Sequence, residues 1–225
     1  MLNKLDPYDL FGAFIPGVLL MSAVAVLFPV VTNPIAASDI PDAFIVIALT
    51  VSAYFLGQVV QAVSSLCIPV VHWSWGGRPS ERAVSTGLGE RYFPKDDADR
   101  ICGKLTSGLQ DSASDRSIFL RAMSLSRKDK ESFTSRFNGA YAYHRAILFM
   151  TLIMLGLVSL SRFHGAAATY SKSLFWTLVA ANSLLCVLFW LRCHQRAKYF
   201  CREVLYSAER QLESASTKIK KKNDE

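Results

Sequence analysis

Ala43-Phe-Ile-Val-Ile-Ala-Leu-Thr-Val-Ser-Ala-Tyr-Phe-Leu-Gly-Gln-Val-Val-Gln-Ala-Val-Ser-Ser-Leu-Cys-Ile-Pro-Val-Val71 is a run of 29 residues without a charged side chain. At about 1.5 Å of rise per residue, a helix of that length exceeds the roughly 30 Å hydrocarbon core of a bilayer. The run therefore reads as a transmembrane helix. Its polar residues are ordered: Tyr54, Gln58, Gln61 and Ser65 recur at steps of four, three and four, which places them on one stripe of a helix. An amide in hydrocarbon is costly unless hydrogen-bonded, so the stripe is expected to face protein or a water-filled space. Two uses stay open: a hydrogen-bonded seam between helices or subunits, or a path for water or ions. Asn182 and Ser183, in the last apolar run, are the expected partners.

Three further runs of the same kind surround this one. Leu10–Val31 is uncharged for 22 residues, too long for the apolar region of a signal peptide and preceded by only one base, Lys4. It contains Pro16, whose missing N–H predicts either a kink, as in the broken helices of transporters, or a helix start at headgroup level. Ala146–Ser161 is a third run, extended at its start by Tyr141 and Tyr143, and Ser173–Leu191 a fourth, bounded by Trp176 and Trp190. Trp73 and Trp75, just beyond the second run, read as interfacial anchors.

The sequence between the runs is polar. Residues 72–145 carry 13 Lys/Arg against 9 Asp/Glu. Gly76, Gly77, Pro79, Gly87 and Gly89 make its first third loop-like. Asp96 and Asp99 resemble a capping pair ahead of Ala98, Ile101, Cys102, Leu105 and Leu109 at helical spacing. A second helix is expected around Ile118, Phe119, Ala122, Met123 and Leu125. A third, capped by Ser126 and Asp129, carries Phe133, Phe137, Ala140, Tyr141 and His144. Only Gly139 separates this third helix from the next apolar run, so the two are expected to form one rod. Beyond Leu191 there is no Gly or Pro to the C-terminus, and Phe200, Val204, Ala208 and Leu212 keep a four-residue step, so the last helix is expected to continue out of the membrane.

Charge orients the chain. The links 32–42 and 162–172 hold no base and two bases respectively, leaving 23 of the 25 Lys/Arg on the other side. Both termini and residues 72–145 are thus expected in the cytoplasm. The expectation is an all-α membrane protein of four transmembrane helices, with a small helical cytoplasmic insertion and a helical cytoplasmic C-terminal tail. It divides into a hairpin 1–71 (spans about 10–31 and 43–71), an insertion 72–143, a hairpin 144–191 (spans about 144–161 and 173–191) and a tail 192–225. The mean hydropathy of +0.24 fits this division. Four thin spans make a poor conduit alone, so a homo-oligomer is expected.

Chemistry is sparse. The five cysteines show no C-x-x-C and no disulfide-like spacing, and read as reduced thiols. His144, Cys193, His194 and Cys201 gather at the membrane boundary but match no zinc pattern, so no metal and no cofactor is expected. The glycine loops Trp75–Arg78 and Ser85–Gly89 lack phosphate-cradling spacing, and no G-x-S-x-G or H-E-x-x-H occurs, so no enzyme is expected. No charge lies deep in a span, which argues against a proton-coupled pump or a voltage sensor. The net charge of +7 does not imply nucleic acid, because bases alternate with acids across 72–145.

Lys4-Leu-Asp-Pro-Tyr-Asp-Leu-Phe-Gly12 with Ile15-Pro-Gly17, and Arg192-x-x-x-Arg196-Ala-Lys-Tyr-Phe-x-Arg-Glu203, resemble segments of uncharacterised small polytopic bacterial inner-membrane proteins. Some of those accompany antiphage defence genes as membrane sensors or membrane-disrupting effectors. The resemblance covers about 20 residues and implies a sensor or effector subunit in the bacterial inner membrane, docking a soluble cytoplasmic partner. A passive membrane anchor or assembly protein without conduction is the competing expectation.

Overall fold

The computed structural model describes residues 7–28, 40–107, 113–129, 132–163 and 171–223. Among the described residues eight helices follow in order: α1 Pro7–Leu27, α2 Asp42–Leu66, α3 Ile68–Ser74, α4 Pro79–Ser85, α5 Lys95–Thr106, α6 Asp115–Ser126, α7 Thr134–Phe163 and α8 Lys172–Asn223. Among the described residues the only β feature is an isolated bridge between Gly89 and Phe93. Among the described residues three stretches are long and apolar enough to cross a membrane: Asp42–Leu66, Thr134–Arg162 and Lys172–Thr217. Gly12–Leu27 is a shorter apolar helix. The end of the expected first span and most of both expected outer links lie outside the described residues.

The chain divides into two compact units, one of residues 1–68 and 142–193, the other of 69–141 and 194–225. In the first unit, α1 and α2 cross at bare backbone. A Cβ on Gly17 would lie 1.6 Å from the Ala53 carbonyl oxygen, and one on Gly57 would lie 1.7 Å from that of Ala13. Ala13-x-x-x-Gly17 meets Ala53-x-x-x-Gly57, so two small-residue steps let the backbones touch. Close packing of this kind holds helices together where no hydrophobic difference between lipid and side chain exists to do so. α1 continues through Pro16, which is itself buried. Val60, Ala146 and Met150 form a small core with Leu20, Ile153 and Met154, tying α7 to the α1–α2 pair.

The second unit has a core of its own. Ala83, Val84, Leu88, Phe93, Ala98, Ile101, Leu105, Ile118, Phe119 and Ala122 pack on Cys201, Val204, Leu205 and Ala208 of α8. Of the expected helical faces, Ala98, Ile101 and Leu105 of α5 and Ile118, Phe119 and Ala122 of α6 are buried, Cys102, Met123 and Leu125 are half-buried, and Leu109 lies outside the described residues. The capping differs: α5 starts at Lys95 behind Pro94, with no side-chain cap. α6 is capped by Ser114, whose Oγ accepts the Ser117 N–H at 3.3 Å. The expected second span 43–71 is broken at Cys67, so that its last residues belong to α3, while the stretch read as loop holds α4; Gly76 and Gly77, at φ of 77° and 124°, separate the two short helices. At Gly87, φ is 71° and a Cβ would lie 2.7 Å from the Phe93 carbonyl oxygen, which accepts the Leu88 N–H at 2.9 Å. Only glycine closes that turn without strain. The third expected helix starts later than read, at Thr134, and runs unbroken through Gly139 to Phe163.

Candidate functional site

On α2 the face packed within the chain is Ala53, Gly57, Val60 and Ser64. These residues keep the same four-three-four step as the polar stripe, displaced by one residue, or about 100° around the helix. The stripe therefore splits. Tyr54 is 42% exposed, and Gln58 and Ser65 are exposed as well, while Gln61 is half-buried. The Gln61 amide nitrogen lies 3.2 Å from where a Cβ on Gly12 would stand, so this side chain fills the space left by a glycine on α1.

The lower end of the stripe meets a cation that sequence reasoning passed over. Arg145 on α7 donates from Nε to Ser64 Oγ at 3.1 Å and from Nη2 to Ser65 Oγ at 2.8 Å. Both serine hydroxyls in turn donate to the Gln61 carbonyl oxygen, at 2.7 and 2.9 Å. One guanidinium thus pins two successive residues of α2, and through them the α2 backbone. Its position one residue before the apolar run Ala146–Ser161 is the signal that could have found it. Asn182 goes elsewhere: it is buried, and its Nδ2 donates to the Thr151 carbonyl oxygen at 2.8 Å, joining α8 to α7. Ser183 is half-buried. Among the described residues no hydrogen bond joins the stripe to the Asn182–Ser183 pair; each has its own neighbours.

In the second unit, Trp75 is not an interfacial anchor. It is 5% exposed and stacks on His194, with ring centroids 4.8 Å apart and planes 17° from parallel. His72 Nε2 lies 3.3 Å from the Tyr141 hydroxyl, and Arg82 Nη1 donates to the Trp75 carbonyl oxygen at 3.1 Å. These contacts hold α3 and Trp75 against Tyr141 of α7 and His194 of α8, and tie α4 to Trp75.

Carboxylates complete the unit. Glu209 accepts from Lys104 Nζ at 2.7 Å and from Arg100, and Lys104 also reaches Glu213 at 2.8 Å. Hydrogen bonds from Arg100 and then from the Tyr206 hydroxyl hold the Asp97 carboxyl below its usual range. Asp129, expected to cap a helix, instead accepts from Ser207 Oγ at 2.7 Å and from Arg210 Nε and Nη2 at 3.2 and 3.0 Å. Beside it lies a cavity of about 340 Å³ lined by Ser126, Arg127, Ser132, Thr134, Asn138 and Phe200, among others. Its walls are mixed, and its one carboxylate is already occupied by Arg210.

All five cysteines are free thiols, with Cys193 and Cys201 buried. Among the described residues no group of three or more His, Cys, Asp or Glu side chains stands where it could hold a metal ion. The chain matches no protein-family model, no curated protein sequence and no solved structure. Its function is argued from its own residues.

Proposed function

We propose that this chain is a membrane-embedded sensor or effector subunit of the bacterial inner membrane that crosses the bilayer four times, with both termini and the second unit in the cytoplasm. It self-associates through the outward face of α2, and its second unit docks a soluble cytoplasmic partner. The response is a path across the membrane between copies, in keeping with a role in antiphage defence. The observation that carries this reading is Gln58, an exposed amide on a helix long and apolar enough to span, with no side-chain hydrogen bond among the described residues. Lipid offers such an amide no partner, whereas a second copy offers an identical one, as inter-helix Gln contacts do in membranes. A polar second unit with its own packed core supports the docking role.

Topology is tested by a reporter active only in the cytoplasm. It is expected to work when fused after Leu120 or Glu225 and to fail after Ala37 or Ala167; activity at Ala37 refutes the orientation. Association is tested by mass in detergent together with ion flux in liposomes. Gln58→Leu is expected to weaken self-association by on the order of 1 kcal/mol per contact, about fivefold, and to reduce flux. Intact association without flux in the unsubstituted protein favours a passive anchor. A monomer in every mild detergent removes the self-association step.

A further inference from the structure

The second unit carries few large apolar side chains on its surface among the described residues. Two of them sit together on α3: Val70, 68% exposed, and Trp73, 83% exposed, the highest value among the described large apolar side chains. They are not loose. On the other side, Val71 of the same short helix and Trp75, the residue after its end, are buried, at 7% and 5%. The stack of Trp75 on His194 and the contact of His72 with Tyr141 hold that side in place. α3 therefore presents a fixed apolar face outward, which sets it apart from a mobile loop that exposes a tryptophan in passing.

We propose that α3 is an interfacial element whose Val70 and Trp73 face lies in the lipid headgroup layer of the leaflet at which α2 emerges. The proposal rests on the reading that α2 crosses the bilayer. Its argument is continuity. α2 ends at Leu66 and α3 begins at Ile68, so Trp73 is seven residues past the apolar helix. Seven residues at helical rise span about 10 Å, and the headgroup layer is roughly 5–8 Å thick on each side of the hydrocarbon core. A tilt of α3 by about 45° or more toward the membrane plane brings Trp73 into that layer. The chemistry fits the same place, because an indole buries an apolar ring while its N–H stays among polar headgroups. Val70, one turn earlier, adds an aliphatic contact on the same side.

The full chain, reconstituted in phosphatidylcholine–phosphatidylglycerol vesicles, tests this by tryptophan emission. The spectrum of Trp73→Ser is subtracted from that of the unsubstituted protein, leaving the Trp73 contribution; Trp73→Phe, which keeps an apolar contact, gives the same difference if folding is unchanged. The difference is expected to be blue-shifted, quenched by lipids brominated near the headgroup end of the acyl chain, and spared by aqueous iodide. Quenching by iodide without quenching by bromine places Trp73 in water and overturns the proposal. Shielding from both points to a protein partner or a second copy, and overturns it equally. The residual emission of Trp73→Ser, which includes Trp176 and Trp190 of α8, reports on the spans. If that emission too is untouched by bromine, the membrane reading fails along with the proposal. If it is quenched while the Trp73 contribution is not, only the interfacial assignment falls.

Discussion

Gly57→Leu is expected to part α1 from α2 and to lower the melting temperature of the detergent-solubilised protein by on the order of 10 °C. The reason is steric. A Cβ at residue 57 would stand 1.7 Å from the Ala13 carbonyl oxygen and 2.5 Å from its carbon, both backbone atoms that no rotamer change can move. Overpacking costs about 1–3 kcal/mol where side chains can yield, and here they cannot, so the upper end applies. At about 2–4 °C per kcal/mol for a chain of this size, that is the stated shift. Gly57→Ala should already show much of the loss, since the first added carbon makes the clash, and Gly17→Ala should mirror it across the crossing, with its Cβ 1.6 Å from the Ala53 oxygen. Gly156→Ala is the control: nothing lies within 4 Å of its Cβ, and the exchange improves helix propensity. Equal melting temperatures for Gly57→Ala and Gly156→Ala would show that the crossing does not hold the hairpin.

That crossing also explains what the sequence could and could not convey. The apolar runs, the faces of α5 and α6, and the unbroken α7 all follow from periodicity over ten residues or more, where local pattern is strong. The orientation of α2 did not follow, although the signal was present. Two stripes with the same spacing lie side by side on that helix, one small and one polar. Ala53, Gly57, Val60 and Ser64 won the packed face within the chain. Hydrogen bonds between membrane helices average only about 0.6 kcal/mol in measured helix pairs, so the amides had little to set against close backbone packing. The pattern Ala13-x-x-x-Gly17 with Ala53-x-x-x-Gly57 was legible as small-x-x-x-small, whereas attention to polar residues in hydrocarbon hid it.

In the second unit the unread features are contacts across long sequence separations. Nothing near Trp75 announces that it stacks on His194, and its position after an apolar run argues for an interface instead. α3 and α4 are seven residues each, too short for periodicity to separate them from the glycine turns around them. Asp129 had a local explanation as a helix cap, and the residues it serves lie on α8, 78 and 81 positions away. An ion pair of that separation leaves no pattern in a single sequence.

Asp129→Ala is the second substitution with a large expected effect, on the order of 3 kcal/mol of local stability in the second unit. The Asp129 side chain is 7% exposed, and Ser207, whose hydroxyl it accepts, is fully buried. Hydrogen bonds to a charged group are worth about 1.5–3 kcal/mol, and a buried hydroxyl left without its acceptor costs about 1–3 more. Arg210 is 44% exposed and can turn to water or to Glu203, 3.1 Å from it, so it adds less. Asp129→Asn keeps an acceptor for Ser207 and gives up the charge, so its loss should fall between wild type and Asp129→Ala. Ser207→Ala removes one partner without stranding a charge, at about 1 kcal/mol. The combined Asp129→Ala and Ser207→Ala variant should then lose less than the sum of the two, because the orphaned hydroxyl is gone. The segment after α6 carries exposed Arg127 and Lys128, so limited trypsin digestion reads the effect directly: cleavage there tracks the population of the opened state. The expected order of cleavage rates is Asp129→Ala fastest, then Asp129→Asn, then Ser207→Ala, then the unsubstituted chain. Additive losses in the double variant, or cleavage at these bases that ignores Asp129, would mean that the carboxylate does not hold this segment to α8.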